Sequence, residues 1–587
     1  MNEWNLGLIY ASYDDFLKDL ESFPKEFTAV EALKGKLNTL EGLLEYECVM
    51  KKIDEQIEKL FCYASMKYDL NQKDNKAGED YQKVYQLYND YISKTSFIQP
   101  ELLANDKEQL FQFLKNDKLK KYQFKMEQLF RSKDFYLDAK SEELMATYGA
   151  ATGGFYRLYD KLAVSDREGV IVQISTQEEL SLNESNFQYY LGILPNQEDR
   201  RIVFEAIYKF YEEHKNTFAG IYDGIMQSEL ANVKNRGYSS ILESHLYHNA
   251  IPKEVFLSLI DTARTKNGPL KEYYALRKKY FNLETLHTYD RFLSFAESNE
   301  VYTYEASKEM VLDACKVLGE DYYQHAVKAL EQGRVSVHTK DGKRTGAYST
   351  GLYHKGTFIL LNHNDNLDSA FTVAHEAGHS IHTLYSNENQ DEVNANYTIF
   401  VAEIASTFNE QLFLDYVMKH SHSKEEKIVV LQQAIDNIVS TFYRQTLFAN
   451  YEYLAHQMVE ERKPVTAEAL SKIMTELYWD YYGINLEDEP YKNNVWAYIP
   501  HFFHTPFYVY QYATSFAASL AIYDAVKQNP KENIKKYLAM LSMGGSAYPV
   551  DIVKTAGVDL TKVDAFMAVV DRMNELVQEL KQLLGEK

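Results

Sequence analysis

Proline and glycine are scarce in this chain, with 11 and 25 copies in 587 residues. A sandwich or barrel of short strands needs turn residues every few positions, so this shortage, together with abundant Lys, Glu, Leu and Ala, points to long helices. Cysteine is rarer still: Cys48, Cys62 and Cys315 are odd in number and far apart, which excludes a disulfide framework. They read as reduced, packed thiols of a cytoplasmic protein. No apolar run approaches the roughly 20 residues that a membrane span requires. The opening MNEWNLGLIY lacks the basic start and apolar core of a secretory signal. Positive charge is in deficit, with a formal net charge of −22, so a nucleic-acid partner is excluded.

What is present fits a large, mostly helical molecule. Tyrosine occurs 48 times, and its ring packs while its hydroxyl stays available for hydrogen bonds. Length alone allows two to four domains. In the N-terminal third, Leu37, Leu40 and Leu44, then Ile53, Ile57, Leu60 and Phe61, recur at helical spacing and are expected in the core. Residues 170–174 alternate as one isolated strand. The breaker Leu194-Pro195-Asn196 is a soft boundary, dividing the chain into an N-terminal helical domain, 1–195, and a catalytic domain, 196–587. Two further strands are expected at 334–338 (RVSVH) and 357–361 (TFILL), parted by a glycine-punctuated stretch. A helix follows, with Asp368 or Ser369 as its cap. The chain ends in an amphipathic helix carrying Val563, Phe566, Val570, Met573, Val577 and Leu580.

The segment with chemistry is Ala374-His375-Glu376-Ala377-Gly378-His379. Histidines at i and i+4 differ by about 40° around a helix, so both imidazoles address one point and can share a cation. Glu376 lies beside that face, placed to act on a water as a general base in the HExxH manner. Phe371, Val373, Ala374, Ala377, Ile381 and Leu384 surround the motif, so its helix must be largely buried. A catalytic zinc needs a third protein ligand and one open position. In the HExxHxxGxxH pattern that ligand is a histidine, but the glycine and histidine positions here carry His382 and Tyr385. Glu403 is the better candidate. Its segment, Phe400 to Glu410, has helical spacing, and the polar run 385–396 connects it to the motif helix. Glu410, on the face of Glu403, is placed to orient a ligand, and His382, displaced by a turn, reads as a residue that packs or supports a ligand rather than one that binds the metal.

HEAGHSIH followed by FVAEIAS resembles the thimet-oligopeptidase-like zinc metallopeptidases, and VAEIASTFNE is worded as in their oligoendopeptidase F branch. The resemblance covers nearly the whole chain. It implies a zincin-like, mainly α ellipsoid with a small sheet near the metal helix and a deep central channel that admits short unstructured peptides. It also implies one zinc per chain on His375, His379 and Glu403, with Glu376 as base. The same likeness places a histidine and tyrosines at the oxyanion, and the corresponding segment is His501 to Tyr512, with Tyr510 and His501 or His504 favoured.

The expected activity is therefore zinc-dependent endopeptidase cleavage of internal bonds in short oligopeptides, by a metal-activated water. The alternatives are a carboxypeptidase or dipeptidyl carboxypeptidase on a similar scaffold, or an inactive peptide-binding protein. An intact Glu376 argues against the last. Two weaker features complete the reading: the TFILL strand is expected to offer its edge to an extended substrate, and Gly544-Gly545 marks either a mobile substrate loop or a plain turn.

Overall fold

In a computed structural model describing residues 3–585, the chain divides into two compact units, each assembled from three stretches. The first unit comprises Met1–Asp134, Glu300–Val417 and Val526–Gly557; the second comprises Phe135–Asn299, Met418–Ala525 and Val558–Lys587. Both are dominated by helices. No helix among the described residues is long and apolar enough to cross a membrane.

The first unit is founded on a helix pair, Leu40–Leu70 and Asn75–Thr95. Thr39 caps the first of these, its hydroxyl accepting from the Gly42 amide at 3.1 Å. The expected stripe holds at Ile53, Ile57 and Leu60, all buried, while Leu44 and Phe61 are half-buried. Each such side chain contributes about 1.5–3 kcal/mol by leaving water. The stripe fails at its start. Leu37 is buried ahead of the cap, whereas Leu40, at the first helical position, is 37% exposed.

Five strands are present among the described residues. β1 (Val170–Gln173) is not isolated but pairs antiparallel with β2 (Glu179–Leu182) in the second unit. The first unit holds β3 (Val335–His338), β4 (Tyr348–Leu352) and β5 (Gly356–His363) in the order β3-β5-β4. β5 runs parallel to β3 and antiparallel to β4. The TFILL strand is thus central, with both edges already paired, and cannot offer one to a substrate. β4, hidden in the glycine-punctuated stretch, is an edge strand. Against this sheet lies the motif helix, Leu367–Asn389, whose cap is Asn366 rather than Asp368 or Ser369: the Asn366 side chain accepts from the Ser369 amide at 2.8 Å. After a short turn of helix, Glu392–Ala395, comes the second ligand-bearing helix, Ile399–His420.

In the second unit the breaker at 194–195 is pinned from below. Arg200, fully buried, donates to the carbonyls of Leu194 (2.8 Å) and Pro195 (2.9 Å) and pairs with buried Asp290 at 2.8 Å. The closing helix, Asp564–Leu584, buries Phe566, Val570, Met573, Val577 and Leu580 against helix Lys424–Ile438. Val563 sits ahead of that helix, 45% exposed.

Candidate metal centre

The site is built where the two ligand-bearing helices of the first unit touch. Ala374, Ala377 and Gly378 keep the motif helix thin on the inner side, and Ile404, Ala405 and Phe408 bury the facing side of its neighbour. Asn409 ties the two together: its amide donates to the Ala374 carbonyl at 3.2 Å, and its oxygen accepts from Tyr322 at 2.7 Å. Neither residue was singled out from the sequence, because a lone Asn and Tyr carry no periodic signal.

This contact brings three ligand atoms together. His375 Nε2 and His379 Nε2 lie 3.1 Å apart, and Glu403 Oε2 is 3.4 Å from the first and 3.6 Å from the second. Ligands about 2.0–2.1 Å from a tetrahedral zinc stand roughly 3.3–3.4 Å from one another, so the triangle has the size such an ion requires. Among the described residues it is the group of His, Cys, Asp and Glu side chains close enough to hold a metal. Glu403 Oε2 also accepts from Ser406 Oγ at 3.1 Å, which holds the carboxylate in place. His375 Nδ1 donates to Glu410 Oε1 at 2.6 Å, directing Nε2 toward the vertex.

The electrostatics follow from burial and neighbours. Burial works to lower the His375 imidazole, but the Glu410 hydrogen bond and charge, with Glu376 and Glu403, outweigh it and raise it to about 9. His379 is held well below the usual imidazole range by burial and then by the charge of His375. Burial raises the Glu376 carboxyl to about 7, opposed by His375 and reinforced by Glu403 and Glu410. Glu376 is 6% exposed and its Oε2 has no hydrogen-bond partner, while the backbone N–H of Ser349, in β4, donates to its carboxyl group. A buried carboxylate with a free oxygen beside a metal-sized triangle is suited to receive a proton. His382 is a packing residue: its ring stacks on Tyr397 at 3.7 Å, and burial lowers it to about 3.

The remaining candidates lie in the second unit. His504 Nε2 pairs with Asp160 at 2.9 Å, and Tyr510 is 2% exposed with its ring against Phe256. His501 is half-buried and groups with Tyr508 and Tyr512, ring centroids 6.2 Å away in each case. Within this segment the half-exposed tyrosines are therefore Tyr508 and Tyr512. Gly544 and Gly545, in the first unit, pack on the segment after the motif helix. The Gly545 amide donates to Asn394 O at 2.7 Å, and a Cβ there would lie 2.1 Å from Asn396 O. These glycines serve a close backbone approach.

Comparison with known proteins places this geometry. The profile described as Peptidase family M3 matches residues 193–571, and one described as Oligopeptidase F matches 101–168. Oligopeptidase PepF of Bacillus subtilis is 32% identical over 97% of this chain and 86% of its own. Group B oligopeptidase PepB of Streptococcus agalactiae is 31% identical over 100% of this chain and 97% of its own. Among solved structures, oligoendopeptidase-F from Enterococcus faecium superposes with a TM-score of 0.75 at 27% identity, covering 97% of this chain and 99% of that one. A crystal structure from Chlamydophila abortus reaches a TM-score of 0.91 at 30% identity, covering 99% and 98%.

Proposed function

Since this chain belongs to peptidase family M3 and is a metallo-oligopeptidase, we propose that it is a zinc-dependent endopeptidase cutting internal bonds of short, unstructured oligopeptides. The observation that carries the reading is the triangle of His375 Nε2, His379 Nε2 and Glu403 Oε2, sized for one tetrahedral ion and supplying three protein ligands among the described residues. A zinc bound there supplies Lewis acidity and lowers the pKa of a water toward about 7. Three of this chain's side chains hold it, and Glu410 keeps His375 turned toward it. Glu376 takes the proton of the attacking water and hands it to the leaving amine, its buried carboxyl group having a free oxygen to carry that proton.

The substrate's backbone is proposed to lie along β4. This strand sits at the sheet edge beside the motif helix, with Ser349 Oγ 2.8 Å from Ser380 Oγ. Gly351 makes the approach possible, because a Cβ there would fall 2.7 Å from the Thr383 methyl. An extended peptide pairing with such an edge is held by main-chain bonds without regard to sequence. The oxyanion role implied by the resemblance is proposed for His501 with Tyr508 or Tyr512, since Tyr510 is buried and His504 is paired with Asp160.

The test is metal analysis combined with digestion of a quenched peptide blocked at both ends. One zinc per chain and internal cleavage are expected. An intact blocked peptide, alongside trimming of an unblocked one, refutes the endopeptidase reading and favours a carboxypeptidase.

A further inference from the structure

The second unit contains a cavity that the peptidase chemistry does not use. It lies between helix Gly268–Tyr280, the segment 286–291, helix Arg444–Glu460 and helix Ala467–Tyr482, with Lys492 closing one side. Its walls carry Arg291, Arg444 and Lys492, together with the phenol rings of Tyr274, Tyr478 and Tyr482. Three cations around one hollow are unexpected in a chain of net charge −22.

The acids nearby act on them from a distance but spend their oxygens on other partners: Asp436, whose charge is felt by Arg291, accepts from the Tyr273 hydroxyl at 2.8 Å and from Gln432 at 3.3 Å. Glu489 is 1% exposed and spends its carboxylate on Thr288, accepting from the amide at 2.8 Å and from Oγ1 at 2.6 Å, with His287 Nδ1 at 3.5 Å. Asp290 is taken by Arg200, Gln197 and the His287 amide. Among the described residues no carboxylate lies within ion-pair distance of Arg291, Arg444 or Lys492. Arg291 rests on the Phe292 ring and Arg444 on the Phe448 ring instead. Lys492 is 8% exposed; its Nζ bonds the Tyr208 hydroxyl at 3.0 Å and sits over that ring. Just before it, Tyr491 holds a positive φ of 70°, a conformation costly for a bulky residue and common where function demands it. Arg291 and Arg444 are half-buried and Lys492 is buried beside them, where burial and then the two guanidinium charges hold its ammonium well below the usual lysine range, so an anion in the hollow would relieve the repulsion and hold all three charged.

From this we propose that the cavity is a binding site for one small oxyanion of the phosphate or sulfate type, held by Arg291, Arg444 and Lys492. The cavity volume of about 30 Å³ sets the size. Its inner part has room for about two or three waters, the size of a single tetrahedral ion. Guanidinium forks and phenol hydroxyls suit an oxyanion, whose several oxygens accept at once, better than a halide.

Isothermal titration of the full chain with inorganic phosphate, sulfate and chloride at matched ionic strength tests the site. Phosphate also binds metal centres, so each titration is repeated after chelation. Phosphate and sulfate binding at one site per chain, surviving chelation and exceeding chloride, is expected. Arg291→Gln and Arg444→Gln should each weaken it about tenfold or more, as loss of a charged hydrogen bond requires. In phosphate-free buffer both variants should melt no lower than the parent, because each removes one of three mutually repelling cations. A chain that binds phosphate no better than chloride after chelation, or variants that bind unchanged, overturns the proposal. If a variant does not fold, the chelated parent's titration decides alone.

Discussion

Gly378 lies so close to Ala405 that a Cβ on the glycine would stand 2.5 Å from the Ala405 carbonyl oxygen and 2.6 Å from the Ser406 Cα. This contact between two helix backbones lets Glu403, half a turn before Ala405, reach the imidazoles of His375 and His379. The third position of the metal triangle is thus set by the absence of one side chain in the motif itself.

Gly378→Ala should therefore cost metal as well as stability. Forcing the helices apart is expected to destabilise the fold by about 1–3 kcal/mol. The variant's zinc content and melting temperature, measured together, check this. A fully loaded variant with parental melting behaviour contradicts the close-contact argument.

Glu376→Gln should abolish peptide cleavage, by about 10²–10⁴ in kcat, while retaining metal. The buried carboxyl group has an oxygen with no partner, so its neutral amide should not weaken the fold. Turnover of a quenched peptide, zinc analysis and a melting curve on one preparation separate the three effects.

Glu410→Ala leaves all three ligands intact but removes the acceptor that orients His375. Zinc affinity should fall about 10–100-fold. A chelator competition assay reads this directly, and unchanged affinity would assign Glu410 a purely structural role.

Removing a phenol hydroxyl distinguishes the tyrosines near His501. Tyr508→Phe or Tyr512→Phe should lower kcat by about 10²–10³ if that hydroxyl donates to the oxyanion. Tyr510→Phe should alter kcat little, since its ring is packed against Phe256. A collapse of kcat in the Tyr510 variant alone would reverse the assignment.

Away from the site, pH should act through Glu58. Burial, then Glu392, Asp54 and Glu55, raise its carboxyl to about 7, and burial foremost raises Asp54 to about 6. A carboxyl group raised on folding takes up a proton between its unfolded value, near 4.5, and its folded one. Its charged form therefore burdens the fold above about pH 7, and the burden vanishes below about pH 4.5. Glu58→Gln should stabilise the protein by about 1–2 kcal/mol at pH 8, after allowance for solvent screening, and by nothing at pH 4.5. Chemical denaturation at the two pH values provides the measurement.

Much of this was legible without coordinates. The stripe Ile53, Ile57, Leu60 and the final helix from Phe566 to Leu580 repeat at helical period, and burial follows period directly. Leu40 broke the pattern because Thr39, an ordinary-looking residue, starts the helix there and turns Leu40 outward. β4 was missed because Tyr348–Leu352 contains a glycine and a serine that read as loop; only pairing with β5 makes it a strand. That pairing also moved the free edge from TFILL to 348–352. Tyr510 was favoured over its neighbours because identity alone does not distinguish a tyrosine that packs from one that faces solvent.

His375 and His379 share a face because successive turns of one helix are governed by hydrogen bonds between near neighbours in the chain, so their pairing was already decided by residue order. The arrival of Glu403, the open edge at β4 and the cations around Lys492 depend on which distant segments pack together. Such contacts are won by summed burial over the whole core, and no short stretch of sequence contains that sum.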